Sequence, residues 1–199
     1  MTLFLLRHGQ TDWNIAPARC QGWQDVGLNE TGRAQARTRG GALRGRGIEL
    51  IVTSHLRRAR ETAEVARAEV GRDLPIIVDP RLAETHRGEW ETRRFSSIMR
   101  EEPDMWRHFR EHPETFRFPG GESLEAQQRR VLACLRDCAL EGRTALLVTH
   151  GGSIRHSRCV IEGHGIAALH ATRADNCCVD ELETDGLARR IDAHLGLAR

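Results

Sequence analysis

The chain has no lysine and no tyrosine, so all 30 of its Lys-plus-Arg positions are arginine. Without lysine there is no Schiff-base nucleophile, no P-loop lysine and no lysine general base. Any anion must be held by arginine, histidine, hydroxyls or backbone N–H groups. A strong net charge is also missing. The 30 arginines face 28 Asp and Glu, giving a formal charge of +2. A nucleic-acid backbone rewards a much larger cationic excess, so nucleic acid is not expected as the main partner. Long apolar runs are absent too. The N-terminal run Leu3-Phe4-Leu5-Leu6 has no basic segment before it and is too short for a signal sequence or a membrane span. No membrane contact is expected, and the location is expected to be cytoplasmic. Cysteine is modest at six residues. Cys20, Cys134, Cys138, Cys159, Cys177 and Cys178 form no C-x-x-C pair and are expected to be reduced and mostly buried.

What is present is an ordinary globular composition. The 199 residues suit one domain able to bury a core without staples. Hydrophobic residues at 39% and charged residues at 29% run through the whole chain, which excludes a disordered tail, a collagen-like chain and a membrane bundle.

The spacing predicts strands at 2–6, 49–53, 75–78 and 144–149. Helices are predicted at about 30–44, 57–70, 123–140 and from about 153. The tail, 177–183 and 187–195, reads as one or two strands around an Asp185-Gly186 turn. Residues 12–28 read as a long loop. The stretch near 92–118 has clustered aromatics broken by Pro103 and Pro113, and reads as short helices forming a cap insertion. Strands alternating with helices imply an α/β fold with a largely parallel sheet.

In such a sheet, ligands sit at the carboxyl ends of the strands. Polar groups collect there: Arg7-His8-Gly9, Ser54 to Arg58, Glu84, and His150-Gly151-Gly152. Taken singly each is weak. A histidine after a strand is most often structural, and Arg57-Arg58-Ala59-Arg60 could be a solvated helix face. Together, two imidazoles and a pair of guanidiniums repel one another unless an anion lies between them. A phosphoryl group fits, because guanidinium forks match its oxygens.

Leu6-Arg7-His8-Gly9-Gln10-Thr11-Asp12-Trp13-Asn14 resembles the signature of the histidine phosphatase superfamily, the phosphoglycerate mutase-like proteins. The resemblance continues through Gln21-Gly22, Ser54 to Ala63, Leu82-Ala83-Glu84, Gly88-Glu89-Trp90-Glu91, Gly120 to Ser123 and Val148 to Gly152, over about four-fifths of the chain. It implies a single histidine phosphatase domain over 1–199, three-layer α/β/α with a mostly parallel central sheet, and the small helical cap. It implies that His8 is the nucleophile that becomes phosphohistidine. Arg7, Arg58 and His150 would be phosphate ligands, with Asn14 and the Gly151 N–H beside them, and Glu84 the proton donor. Gln10, Gln21 and Gly22 would border the substrate. Arg58 is chosen over Arg57 because it precedes Ala59 and then Thr62-Ala63. The chain departs from the pattern at Thr92, where Gly usually follows Trp-Glu, and at His86 and Arg87.

The chemistry follows from the residues. Guanidiniums and an imidazole neutralise and orient the phosphoryl oxygens, and neutral His8 attacks phosphorus in line. Nearby arginines favour its neutral form. Glu84 protonates the leaving alkoxide and then takes a proton from water. The scheme calls for no metal and no cofactor. The expected activity is metal-independent hydrolysis of a phosphomonoester, with a small phosphorylated metabolite as partner and a homodimer left open. A cofactor-dependent phosphoglycerate mutase is the alternative, as is a phosphatase for one substrate such as α-ribazole phosphate or a sugar phosphate. The aromatics Trp106, Phe109, Phe116 and Phe118 either roof the pocket or form the cap's own core.

Overall fold

The apolar runs at 2–6, 49–53 and 144–149 become strands buried on both faces, whereas the run at 75–78 forms an edge strand with Ile77 and Val78 exposed. In the computed structural model, which describes residues 1–197, β1 (Thr2–Arg7), β2 (Leu50–Thr53), β3 (Ile76–Val78), β4 (Ala145–Thr149) and β5 (Val179–Glu183) form one sheet in the order β3-β2-β4-β1-β5. All neighbours run parallel except β5, which is antiparallel to β1. Side chains alternate across a strand, so each run serves two cores. Leu3, Leu5, Val52 and Leu147 join one cluster, while Phe4, Leu6, Ile51, Leu146 and Val148 join the other. This double burial is why the runs show no alternation with polar residues.

Seven helices occupy the described residues. The second cluster is closed by α1 (Glu30–Ala42) and α2 (Arg57–Val70) through Ala36, Ala59, Ala63 and Ala66. Asn29 starts α1 by accepting from the Gly32 N–H at 2.8 Å. The first cluster is closed by α5 (Leu124–Leu140), α6 (Gly151–Ile161) and α7 (Leu187–Leu195). Burying each such aliphatic side chain is worth about 1.5–3 kcal/mol. Truncating one of them, Leu147 for example, to alanine costs about 2–5 kcal/mol.

The tail differs from the expected hairpin. Val179–Glu183 is a strand, but Leu187–Leu195 is a helix. Leu187, Ile191 and Leu195 repeat every four residues, and the first two are buried on the core beneath α5. Residues four apart share one face of a helix and one face of a strand alike, so this repeat does not choose between the two.

Between β3 and α5 lies the cap, with α3 (Phe95–Glu101) and α4 (Pro103–Glu111). Its aromatics pack mainly on one another. Trp90 is fully buried and sits 5.3–5.9 Å, centroid to centroid, from Trp106, Phe109, Phe116 and Phe118. These residues form a third core, and of the cap's aromatics Phe95 stands on the cleft wall. All six cysteines are free. Among the described residues no helix is long and apolar enough to cross a membrane.

Candidate active site

Parallel strands end on the same edge, so the segments after β1, β2 and β4 meet there. A cleft of about 520 Å³ opens at that edge, lined by Arg7, His8, Asn14, Arg58, Glu84 and Gly151 among others.

His8 follows β1 directly, and its N–H donates to the Thr149 carbonyl at 2.9 Å. The side chain is buried. Its Nδ1 lies 2.7 Å from the carbonyl of Gly9. A carbonyl can only accept, so Nδ1 carries the proton and the Nε2 lone pair is left free. Burial, then Arg58 and Arg7, holds His8 well below its ordinary pKa. The ring is therefore a neutral nucleophile across the neutral range. The ring of His150 lies 5.2 Å away, centroid to centroid.

The cradle is made of donors that the protein does not use. Arg58 is fully buried and gives Nη1 to the Gln24 carbonyl at 2.9 Å and Nη2 to the Gly22 carbonyl at 2.7 Å. Its Nε is buried without a partner. Burial lowers its pKa to about 10, which still leaves it charged. Arg57, by contrast, points outward and pairs with Glu61 at 2.7 Å. Arg7 binds the Ala174 carbonyl through Nη1, and its Nε is likewise buried and unpartnered. His150 holds Ser54 Oγ at 2.9 Å through Nε2, leaving Nδ1 buried and without a partner. Asn14 accepts through Oδ1 from Thr11 and Asn176, which frees its Nδ2 donors. Helix α6 begins at Gly151, so its first N–H groups and the positive end of its dipole face the cleft. Such a set of unpaired donors binds an anion with tetrahedral oxygens.

Glu84 stands in a closely fixed loop. Its backbone carbonyl accepts from Trp23 Nε1 at 2.7 Å and Arg130 Nη2 at 2.8 Å. Its carboxylate accepts from the Thr85 N–H at 2.9 Å, Gln127 Nε2 at 3.1 Å and the Gly152 N–H at 3.3 Å. Gln127 is itself held by Thr85 Oγ1 and by His156 Nε2. Burial alone would raise this carboxyl, but Arg87, the Thr85 N–H and Arg155 outweigh it and hold it well below the usual carboxylate range. Gly152 permits this closeness: a Cβ there would lie 2.2 Å from Glu84 Oε1. Gly22 has φ +47° and offers its carbonyl to Arg58.

The structure thus brings His8, Arg7, Arg58, His150, Asn14, Gly151, Glu84, Gln21 and Gly22 to one place. It does not bring Gln10. That side chain accepts from Asn29 Nδ2 at 3.1 Å and helps seat the start of α1, outside the cleft wall. Several wall residues were given no role by the sequence, among them Arg87 and Arg155. Arg155 lies four residues after Gly151 on α6, the spacing that returns a side chain to the same helix face. Arg87 was visible as a departure from the family pattern. Among the described residues no group of three or more His, Cys, Asp or Glu could hold a metal ion.

Residues 3–194 match the histidine phosphatase superfamily (branch 1). A relative from Enterobacter sp. (strain 638), named "Probable phosphoglycerate mutase GpmB", is 36% identical over 92% of this chain and 85% of its own length. The structure of Bacillus stearothermophilus YhfR superposes with a TM-score of 0.84 at 35% identity, over 92% of this chain and 90% of that one. Mycobacterial glucosyl-3-phosphoglycerate phosphatase, in a complex with VO3, superposes with a TM-score of 0.81 at 33% identity, over 92% of both chains. This chain is a member of the histidine phosphatase superfamily, branch 1, and an enzyme of that family.

Proposed function

We propose that the protein is a phosphomonoester hydrolase that passes through a phosphohistidine on His8 Nε2. The observation that carries this reading is the free Nε2 lone pair of a neutral imidazole beside two buried, unpartnered guanidinium nitrogens. The phosphoryl oxygens take the Nε donors of Arg7 and Arg58, His150, Asn14 Nδ2 and the Gly151 N–H. Their charge and geometry lower the barrier to in-line attack. Nε2 bonds to phosphorus as the ester oxygen leaves with the bonding pair. Water then attacks the phosphohistidine and restores the imidazole.

Glu84 gives the proton to the leaving oxygen and later takes one from water. In the empty site it is ionised, because the surrounding arginines favour the anion. An incoming phosphate neutralises that field and raises Glu84, and a singly protonated ester brings the needed proton with it. Phosphate release from alkyl phosphates in the presence of EDTA tests the reading. Glu84→Gln should lose about a hundredfold or more on an alkyl phosphate and far less on p-nitrophenyl phosphate, whose leaving group needs little acid help. Equal losses on both would remove Glu84 from the proton-transfer role.

A second reading, phosphoglycerate mutase, is favoured by the name of the Enterobacter relative. The same site would then return the phosphoryl group to a second hydroxyl instead of water. Assay of isomerisation against phosphate release on 3-phosphoglycerate separates the two. We place the enzyme in the cytoplasm, with a small phosphorylated metabolite as its partner.

A further inference from the structure

One phosphate does not use up the positive charge of this cleft. Seven arginines line it, Arg7, Arg19, Arg58, Arg87, Arg110, Arg155 and Arg173, against the carboxylates of Glu84 and Asp175. Arg7 and Arg58 belong to the phosphate cradle described above. Arg87, Arg110 and Arg155 stand outside it. They lie close enough to act on one another, since Arg87, Arg7 and Arg110 add to the burial that lowers Arg155 to about 10.

The protein balances these charges only in part: the Glu84 and Glu91 carboxylates favour the charged form of Arg87, and Glu84 that of Arg155. Among the described residues, neither Arg87, Arg110 nor Arg155 forms an ion pair within 4.0 Å. Glu84 is near, but its hydrogen bonds come from Thr85, Gln127 and Gly152. Arg155 spends its Nε on the Gly151 carbonyl at 3.2 Å and keeps both Nη groups. Arg87 is held from behind: its guanidinium lies 5.5 Å from the Phe118 centroid and 5.8 Å from that of Phe95, and its Nε is buried without a partner. On the same wall, Thr172 Oγ1 and His170 Nδ1 are also buried and unpartnered. Arg87 is buried, Arg155 half-buried and Arg110 exposed at the rim; like charges held together in such a partly buried wall cost energy that an anionic ligand offsets.

We infer that Arg87, Arg110 and Arg155, with Thr172 and His170 beside them, form a second anion subsite for a carboxylate or phosphoryl group on the same substrate. The inference rests on the phosphatase reading and narrows it. The substrate class is a phosphomonoester carrying a second anionic group, whereas simple alkyl and aryl phosphates fill only the first cradle. Arg155 extends from the helix whose first N–H groups face the phosphate, so the two anions would lie within one small metabolite. Charged hydrogen bonds of this kind discriminate by about tenfold or more.

The test compares ω-carboxyalkyl phosphates of one to four methylenes with alkyl phosphates of the same length, and α,ω-alkane bisphosphates with the monophosphates. The result expected is a kcat/KM ratio of about tenfold or more in favour of one doubly anionic series. A preference confined to the carboxylates assigns the subsite to a carboxylate, and one confined to the bisphosphates assigns it to a phosphoryl group. In Arg155→Met, and in Arg110→Met should the first variant misfold, that ratio should collapse toward one. Binding of the same compounds to His8→Ala, measured by calorimetry, gives a readout that needs no turnover. A chain that hydrolyses nothing yet binds the doubly anionic series more tightly sinks the phosphatase reading and keeps the subsite. Equal kcat/KM and equal affinity for paired compounds overturn the subsite, as does a preference that survives in both arginine variants.

Discussion

Replacing Gly152 by alanine adds one methyl group and tests how closely Glu84 must be placed. The new Cβ would lie 2.2 Å from Glu84 Oε1 and 2.9 Å from Gln127 Nε2. Ordinary contact begins at 3.4 Å, so the carboxylate must retreat by 3.4 − 2.2, about 1.2 Å. It cannot retreat freely, because Thr85 and Gln127 hold it and Arg130 and Trp23 fix its backbone. Misplacing a catalytic group by about 1 Å costs on the order of a hundredfold, or about 2.7 kcal/mol of barrier. Alanine is favoured over glycine in a helix by about 1 kcal/mol, which offsets part of the local strain in the fold. Kinetics on an alkyl phosphate and on p-nitrophenyl phosphate, with a melting curve, make the assay. The reasoning predicts about a hundredfold loss of kcat on the alkyl ester, a smaller loss on the aryl ester, and a melting temperature within a few degrees of the parent. Alkyl phosphate turnover within threefold of the parent would refute it.

The adjacent arginines should behave unequally: Arg58→Ala should lose about 10²–10³-fold in kcat/KM, whereas Arg57→Ala, which breaks a surface pair with Glu61, should stay within about threefold. Steady-state kinetics on both variants checks this. Thr92 has φ +71°, a region that a β-branched residue enters at a cost of about 1–2 kcal/mol. Thr92→Gly should therefore raise the melting temperature by about 2–4 °C, and a fall would show that the threonine makes contacts worth more than its strain. Buried His156 takes a proton at about 3 when folded but near 6.5 when unfolded, so the unfolded state binds more protons between those values and stability drops as pH falls below about 6.5. Urea unfolding at pH 7 and pH 5.5 should show about 1.2 kcal/mol less acid destabilisation in His156→Gln than in the parent.

The sheet was legible because parallel strands covered on both faces are nearly unbroken apolar runs, as in Leu3–Leu6 and Leu146–Val148. The tail was misread because Asp185-Gly186 looks like a hairpin turn, and the spacing of Leu187, Ile191 and Leu195 by four fits one face of a strand as well as one face of a helix. Residues at strand ends were readable as a site because parallel topology alone brings them together. Side-chain direction was not readable in the same way. Gln10 is two residues from His8 yet turns to Asn29, and no spacing rule in a loop decides that. Gly152 owes its part to the placement of Glu84, a tertiary contact across nearly seventy positions of sequence, and Arg155 acts on the same carboxylate through its charge. The cap aromatics had two readings, and packing on Trp90 decides mainly for a core of their own.

The most direct test is to mix the enzyme with a phosphomonoester labelled in its phosphoryl group and quench within one turnover. Alkaline denaturation preserves a phosphorus–nitrogen bond to imidazole, and acid cleaves it. The label should appear on the peptide holding His8, survive base, be lost in acid and be absent from His8→Ala. Label on another residue, or turnover by His8→Ala within tenfold of the parent, would contradict the account.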